Sequence, residues 1–242
     1  MKHYVCSDIH GLWIRYEKAI KKITNEDRLY ILGDVIDRGA DGIKILLDIM
    51  KRDNVQLLIG NHEYMMLQAL KYNNRHIKYT WTDIRNGGGV TLGEFCKLDI
   101  SRQQALLDFL DNCVLETEIT VDGRVFLLTH SAYVADAVDQ TFAQISESDR
   151  FYITWHSPLR QDMYAPIGSY DRSKIFIIGH VPVQNLEIDQ IYQFGNIIDI
   201  DCGCAKAHLI DGTSLALLCL ETMQTDYIDA LPPEWDDLTM YL

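Results

Sequence analysis

The sequence of 242 residues predicts an α/β fold, and two observations in its first half lead to that expectation. Short runs of β-branched and other apolar residues alternate with longer segments whose apolar residues recur at helical spacing. Each apolar run also ends in a polar cluster that contains glycine, which is typical of strand ends that build a site in an open α/β sheet. The length fits one domain, or one domain with an insertion, since an average domain has roughly 150 residues.

The pattern predicts five elements before residue 60. Strands are expected at residues 3–9, 28–32 and 55–59, and helices at residues 12–23 and 42–50. The region from about 64 to 112 is mostly helical in pattern and is broken by Gly87-Gly88-Gly89, so we expect a helical, cap-like insertion there. β character then returns, with predicted strands at residues 114–121, 125–129, 174–178, 197–200 and 214–220. The acidic stretch at 232–237 is too short to be a further domain.

Composition and charge exclude several classes of protein. With 48% hydrophobic and 24% charged residues the chain can bury a core, so disorder of the whole chain is excluded. The 22 Lys and Arg residues face 35 Asp and Glu residues, and a formal net charge of −13 without a basic cluster repels a nucleic-acid polymer. No apolar run approaches the roughly 20 residues that cross a bilayer, and the first residues lead directly into a predicted strand. We therefore expect a cytoplasmic protein without a membrane partner.

The six cysteines are scattered along the sequence, and only Cys202 and Cys204 are close neighbours. No second pair of cysteines or histidines lies at the spacing of a zinc site. We expect reduced thiols packed in the interior.

Six side chains that can bind metal follow the ends of apolar runs: Asp8, His10, Asp34, Asn61, His130 and His180. Asp8 and His10 are two residues apart at the end of a predicted strand, so we expect both to project from the same face. Any one of these residues is more often a solvated or capping side chain than a ligand, but six of them at strand ends predict a metal centre. Oxygen and imidazole donors without a thiolate suit Mn, Fe or Zn.

Three motifs carry a resemblance to a known family. Asp-Ile-His-Gly at 8–11, Gly-Asp-Val-Ile-Asp-Arg-Gly at 33–39 and Gly-Asn-His-Glu at 60–63 occur in the order found in the calcineurin-like metallophosphoesterases. Within that family the sequence resembles the phosphoprotein phosphatase branch, and its size is similar to that of compact bacterial and phage members. The similarity continues through Asn86-Gly87-Gly88, His130 and Gly179-His180 to the C-terminal part of the chain.

The resemblance implies a two-sheet β-sandwich flanked by helices, with four layers in the order αββα, and two divalent metal ions, Mn first and Fe or Zn as alternatives. It implies that Asp8 and His10 bind the first ion, that Asp34 bridges both, and that Asn61, His130 and His180 bind the second. Two such ions lower the pKa of a shared water and hold the attacking and departing oxygens of an in-line displacement. Their charge also lets an acidic protein attract phosphate.

The resemblance also implies roles for residues beside the metals. His62, oriented by Asp37, would protonate the leaving alkoxide, while Arg38 and Asn61 would contact the phosphate. Family members usually carry a second phosphate-binding arginine soon after a tryptophan. Here Trp155 is followed by His156-Ser157-Pro158-Leu159 and only then by Arg160, so Arg160 either fills that role on a shifted loop or the role is vacant. We assign no chemistry to Glu63, because a carboxylate at a helix start suits the helix dipole.

Three functions fit this site. The leading hypothesis is a phosphatase of phosphorylated Ser or Thr, and also of Tyr, in proteins, with small phosphoesters as further substrates. The second is a symmetrical bis(5'-nucleosyl)-tetraphosphatase, for which Tyr72, Tyr79, Trp81 or Tyr133 would supply platforms for the bases. The third is an inactive, metal-bound binding module, which the presence of His62, Arg38 and all six ligands argues against. The oligomeric state stays open.

Overall fold

Two five-stranded mixed sheets form the centre of the protein in a computed structural model that describes residues 1–166, 170–206 and 212–229. The strands are β1 (His3–Cys6), β2 (Arg28–Ile31), β3 (Val55–Leu57), β4 (Glu116–Val121), β5 (Arg124–Thr129), β6 (Ile175–Ile178), β7 (Tyr192–Phe194), β8 (Ile197–Asp199), β9 (Ser214–Cys219) and β10 (Gln224–Asp229). The helices are α1 (Trp13–Lys22), α2 (Gly42–Ile49), α3 (Asn61–Leu70), α4 (Arg75–Thr82), α5 (Gly88–Cys96), α6 (Ile100–Asp111) and α7 (Glu147–Trp155).

The strand order brings the motif loops to one edge. The first sheet has the order β10-β9-β1-β2-β3, and the second has the order β4-β5-β6-β8-β7. In the first sheet β1, β2 and β3 run parallel, and in the second β5, β6 and β8 run parallel. A bridge between Leu58 and Val114 links the chain after β3 to the chain before β4. The carboxyl ends of parallel strands meet at one sheet edge, so the loops after them converge.

Alternation along the strands separates two apolar layers. Val5 and Tyr30 face the second sheet and share a core with Phe126 and Leu128 from β5. Their sequence neighbours point to the other face of the first sheet, where Leu29 and other strand residues pack against the helices. Because successive strand residues point to opposite faces, a run that is apolar at every position is buried on both faces. The predicted two-sheet sandwich flanked by helices is therefore confirmed.

The structure differs from the predicted elements in detail. Strand β1 ends at Cys6 and not at residue 9, because Asp8 and His10 adopt positive φ angles of 55° and 48° that an extended strand does not contain. Two strands were missed: β7 has only three residues, and β10 alternates polar residues on an edge. Helix α7 was also missed; its N-cap Ser146 accepts a hydrogen bond from the backbone of Asp149. The acidic stretch 232–237 lies outside the described residues.

Four helices, α3 to α6, fill the chain between β3 and β4. No helix in the described ranges combines the length and apolar character that crossing a membrane requires. All six cysteines are free, as expected, and five are buried. The expectation of packed thiols is wrong for Cys96, which is exposed at the end of α5.

Candidate active site

The loops after β1 and β2 hold an unusual backbone. Asp34, Asp37 and Arg38 have φ angles of 53°, 70° and 68°, in the left-handed region that costs a residue other than glycine roughly 1 kcal/mol or more. The two loops bind each other: His10 N–H donates to Asp34 O over 2.9 Å, and Gly39 N–H donates to His10 O over 3.0 Å. Local strain of this kind persists only where surrounding contacts fix it, and it is frequent at functional sites.

Glu63 provides much of that fixation. Its Oε2 accepts the backbone N–H groups of Asp34 (2.8 Å) and Gly60 (3.1 Å), and its Oε1 accepts those of Val35 (2.8 Å) and Ile36 (3.3 Å). The carboxyl group is fully buried, and its burial together with the charge of Asp34 raises its pKa. Glu63 is therefore the residue that holds the second motif loop against the third, a role that its position at the start of α3 did not reveal.

A first group of donor atoms gathers around Asp34 Oδ2. His10 Nε2 lies 3.7 Å and His62 Nε2 lies 3.8 Å from this oxygen, and Asp8 Oδ1 lies 4.0 Å from His10 Nε2. Among the described residues, His10, Asp34 and His62 form one of two sets whose ligand atoms all lie within 4.8 Å of one another and could hold a metal ion. His10 Nδ1 contacts Ile36 O over 3.0 Å, which leaves its Nε2 to face the group. Asp8 and His10 do meet, although on a loop and not through strand alternation.

A second group gathers around the other oxygen of Asp34. His130 Nε2 lies 3.6 Å from Asp34 Oδ1 and 3.1 Å from Asn61 Oδ1. His180 Nδ1 lies 3.0 Å from the same Asn61 oxygen. Asp34, His130 and His180 form the second set of described residues whose ligand atoms lie close enough together to hold a metal ion. Asp34 thus belongs to both groups, so the other five predicted ligands lie around its carboxylate.

The chemistry of the donors fits divalent ions. His130 donates its Nδ1–H to Leu32 O over 2.6 Å, and burial lowers the pKa of its ring, so a lone pair on Nε2 faces the carboxylate and the amide oxygen. Lone pairs that face one another repel unless a cation lies between them. Burial and the carboxylates of Asp201 and Asp34 also raise the pKa of Asp8 well above its usual range, and a nearby cation would reverse that shift.

Two glycines leave room for these carboxylates. A Cβ atom at Gly60 would lie 2.2 Å from Asp34 Oδ1, and one at Gly179 would lie 2.5 Å from Asp8 Oδ2. A side chain at either glycine would collide with the neighbouring aspartate carboxylate in its present position. The glycines in Gly-Asn-His and Gly-His therefore serve close approach to the acidic residues.

His62 and Arg38 complete this side of the site. His62 Nδ1–H donates to Asp37 Oδ2 over 2.6 Å, which directs Nε2 toward the donor groups. Arg38 Nη1 donates to His10 Nε2 over 2.8 Å, and its Nη2 lies 3.3 Å from His62 Nε2. The lone pair with which His10 would bind a metal is thus the one that Arg38 contacts here. The Arg38 side chain also lines the cavity beside these groups.

The site opens into a cavity of about 440 Å³ whose lining includes Arg160. Arg160 Nη1 lies 3.4 Å from His180 Nε2, while Nε donates to Asp162 Oδ1 over 2.9 Å and Nη2 pairs with its other oxygen. The segment after Trp155 therefore returns the arginine to the site despite its shifted position. The buried Nδ1 atom of the neighbouring His156 has no hydrogen-bond partner among the described residues.

The aromatic residues considered as platforms for nucleotide bases differ in their burial and contacts. Trp81 is fully buried and offers no face to a ligand. Tyr72 donates its hydroxyl to Asp111 over 2.6 Å, and Tyr133 packs edge-on against Phe176 at 5.2 Å. Within the described ranges, Trp155 is the one Trp, Tyr or Phe side chain that lines the cavity.

Comparisons with known proteins agree with the site. The sequence profile of the calcineurin-like phosphoesterase family matches residues 1–197. Serine/threonine-protein phosphatase 2 of Escherichia coli (strain K12) is 26% identical over 207 residues, which cover 83% of this chain and 86% of that protein. A symmetrical bis(5'-nucleosyl)-tetraphosphatase of Wigglesworthia glossinidia brevipalpis is 37% identical over 71 residues, which cover 28% of this chain and only 26% of that protein.

Solved structures show the same fold. A protein proposed to be a diadenosine tetraphosphatase superposes with a TM-score of 0.63 at 13% identity and covers 96% of this chain and 94% of its own. A serine/threonine phosphatase of Saccharomyces cerevisiae superposes with a TM-score of 0.56 at 14% identity and covers 96% of this chain and 80% of its own.

Proposed function

The chain belongs to the calcineurin-like phosphoesterase family, and we propose that it is a metal-dependent protein phosphatase that hydrolyses phosphoserine and phosphothreonine. The observation that carries the proposal is the extent of the similarity to the Escherichia coli serine/threonine phosphatase, which covers 86% of that protein. The similarity to the tetraphosphatase is higher in identity but is confined to 26% of its length.

The lining of the cavity supports a phosphomonoester substrate. A dinucleoside tetraphosphate carries two bases, and stacking each on a ring is a common way to bind them. In the part of the chain that the structure describes, the cavity presents one Trp, Tyr or Phe ring, that of Trp155. It also presents charged groups suited to a phosphoryl group: the arginines Arg38 and Arg160 and the amine of Lys206.

The protein residues have separate tasks in the proposed reaction. Asp8, His10, Asp34, Asn61, His130 and His180 would hold two divalent ions, for which we propose Mn. When bound, such ions supply a nucleophile at neutral pH and neutralise charge on the phosphoryl group. Arg38 and Arg160 both line the cavity and would orient the equatorial oxygens of the phosphate.

His62 would supply the proton for the leaving group. An alkoxide is too basic to leave unprotonated, and an imidazolium within hydrogen-bond reach can donate to it. The hydrogen bond from Nδ1 to Asp37 fixes the orientation of the ring. This leaves Nε2, which faces the donor groups, as the atom that gives up the proton.

The test compares substrates on the Mn²⁺-loaded protein. We expect a phosphoserine peptide to be hydrolysed with a higher kcat/KM than diadenosine tetraphosphate. A preference for the dinucleotide would assign the protein to the tetraphosphatase activity instead. His62→Asn serves as the matched variant, and it should lose activity on the peptide while its metal content is unchanged.

A third outcome would indicate a binding module. If wild type and His62→Asn are equally inactive on the peptide, the dinucleotide and an aryl phosphate, while both bind two metal equivalents, then the proposed catalysis is wrong.

A further inference from the structure

The helical segment between β3 and β4 contributes a buried contact to the pair formed by His62 and Asp37. Trp81 on α4 is fully buried, and its indole Nε1–H donates to Asp37 Oδ2 over 2.8 Å. The same oxygen accepts the Nδ1–H of His62 over 2.6 Å. Two N–H groups from different elements thus fix one carboxylate oxygen. The other oxygen, Oδ1, accepts no hydrogen bond from the described residues.

Residues of helix α5 pack closely around the hydrogen bond between Trp81 and Asp37. A Cβ atom at Gly88 would lie 2.5 Å from both Cδ1 and Nε1 of the indole, so the glycine at the start of α5 permits the ring to sit where it does. Thr91 on α5 accepts the backbone N–H of Asp37 through its Oγ1 over 3.0 Å. Helices α4 and α5 therefore hold both the side chain and the left-handed backbone of Asp37, whose φ is 70°.

We propose that Trp81 is a positioning residue for proton transfer by His62. The inference rests on the proposed function, because it requires that His62 protonates the leaving group. With the indole N–H in place, the Asp37 carboxylate has one orientation, and the imidazole that hydrogen-bonds to it has one orientation too. Without the indole N–H, His62 is the only side-chain donor to Asp37 Oδ2 among the described residues. The imidazole of His62 and the carboxylate of Asp37 are then free to rotate together. Small displacements of a proton donor reduce its effect strongly.

A purely structural role of Trp81 makes a different prediction. A buried indole needs a hydrogen-bond acceptor in any case, and its ring fills the apolar core. Loss of packing would lower the activity toward every substrate by a similar factor. A positioning role lowers activity only where the leaving group needs the proton, since a nitrophenolate leaves readily without one.

Two substitutions separate the donor from the ring. Trp81→Phe removes the N–H and keeps an aromatic ring. Trp81→His keeps a donor, because histidine Nε2 occupies the same place in the five-membered ring as indole Nε1. Trp13→Phe, at the start of helix α1, is the control for loss of an indole, because the Trp13 ring contacts Lys44 and Tyr16 and does not line the cavity. Each Mn²⁺-loaded variant is assayed with a phosphoserine peptide and with p-nitrophenyl phosphate, and the ratio of the two kcat values is independent of the folded fraction.

We expect Trp81→Phe to lower kcat about 10-fold for the peptide and less than about 2-fold for the aryl phosphate, because a general acid contributes about 10²–10⁴-fold in all. Trp81→His should restore the ratio toward that of wild type. In an Asp37→Asn background, Trp81→Phe should have no additional effect.

Equal losses of kcat on both substrates would show that Trp81 is not a positioning residue. An effect of Trp81→Phe that multiplies with that of Asp37→Asn would show the same. Both outcomes leave the proposed function untouched. If the wild-type protein hydrolyses the aryl phosphate but not the peptide, the proposed function is wrong, and the inference about Trp81 fails with it.

Discussion

The loops of the first sheet and the loop that carries Arg160 approach the same cavity but are held very differently. After β2, backbone and side chain are fixed by buried partners: Glu63 accepts four N–H groups, and Asp37 is bound by Trp81 and His62. Arg160 instead pairs with Asp162, whose side chain is 68% exposed. The loops at residues 7–11, 33–39 and 60–63, which we call the floor of the cavity, are thus fixed by buried hydrogen bonds. In the segment at residues 156–165, which we call the wall, the arginine is held by an exposed ion pair, which contributes little stability.

The largest effect on kcat is expected at Asp34, at the centre of the floor. Asp34→Asn removes the carboxylate shared by both donor groups, and the lost charge stabilisation of several kcal/mol corresponds to about a 10³-fold or greater loss of kcat. One metal equivalent should be lost as well, which elemental analysis of the dialysed protein measures. The exposed Asp53→Asn serves as the control. Two tightly held equivalents in Asp34→Asn would contradict the bridging role.

The two arginines give the most direct comparison of floor and wall. Arg38→Ala removes a guanidinium carried by a loop whose left-handed backbone is fixed by hydrogen bonds, so the full strength of a charge-assisted pair, about 3 kcal/mol, is lost and KM for an aryl phosphate rises about 100-fold. Arg160→Ala should raise KM only about 10-fold, because part of the binding energy replaces the pair with Asp162.

Metal content should stay unchanged in both arginine variants. Equal increases in KM would show that the two arginines are equally organised, and loss of metal from Arg38→Ala would show that the guanidinium supports the ligands.

Glu63→Gln tests what holds the floor together. Glutamine has one acceptor oxygen and would direct an NH2 group at backbone N–H groups that now donate to a carboxylate. We expect the free energy of unfolding to fall by about 2–4 kcal/mol, with a Tm that is lower by roughly 2–4 °C per kcal/mol. The exposed Glu94→Gln, which loses only a pair with Lys97, should change stability by less than about 1 kcal/mol. Similar thermal shifts for both variants would refute the role of Glu63.

The same contrast explains what the sequence could predict. The three motifs lie within 63 residues, each directly after an apolar strand, so local pattern alone indicated that Asp8, Asp34 and Asn61 meet. The link from Trp81 to Asp37 spans 44 residues and joins a helix to a strand loop, and a tryptophan at helical spacing is indistinguishable from an ordinary core residue. The contacts of Glu63 could not be predicted for the same reason, since three of its four partners are backbone groups of the loop after β2.

The position of Arg160 was open in the sequence because loop length does not determine loop path. Backbone hydrogen bonds from Ser157 N–H to Met163 O (2.9 Å) and from Ala165 N–H to Ser157 O (3.0 Å) close this segment on itself. That turn brings the arginine back to His180 although four residues separate it from Trp155. Such closure depends on pairings within an irregular segment, for which no periodic pattern exists.

The smallest effect is expected at Asp162, the exposed partner in the wall. Its carboxylate binds the arginine fork that a phosphate would use, so Asp162→Asn should release Arg160 and make inorganic phosphate a stronger inhibitor. An exposed pair is worth about 0–1 kcal/mol, so Ki should fall by no more than about 5-fold, with kcat for an aryl phosphate unchanged. Asp171→Asn, whose carboxylate accepts hydrogen bonds from Ser173, is the matched control. In an Arg160→Ala background the Asp162 substitution should change nothing, because the carboxylate acts only through that guanidinium.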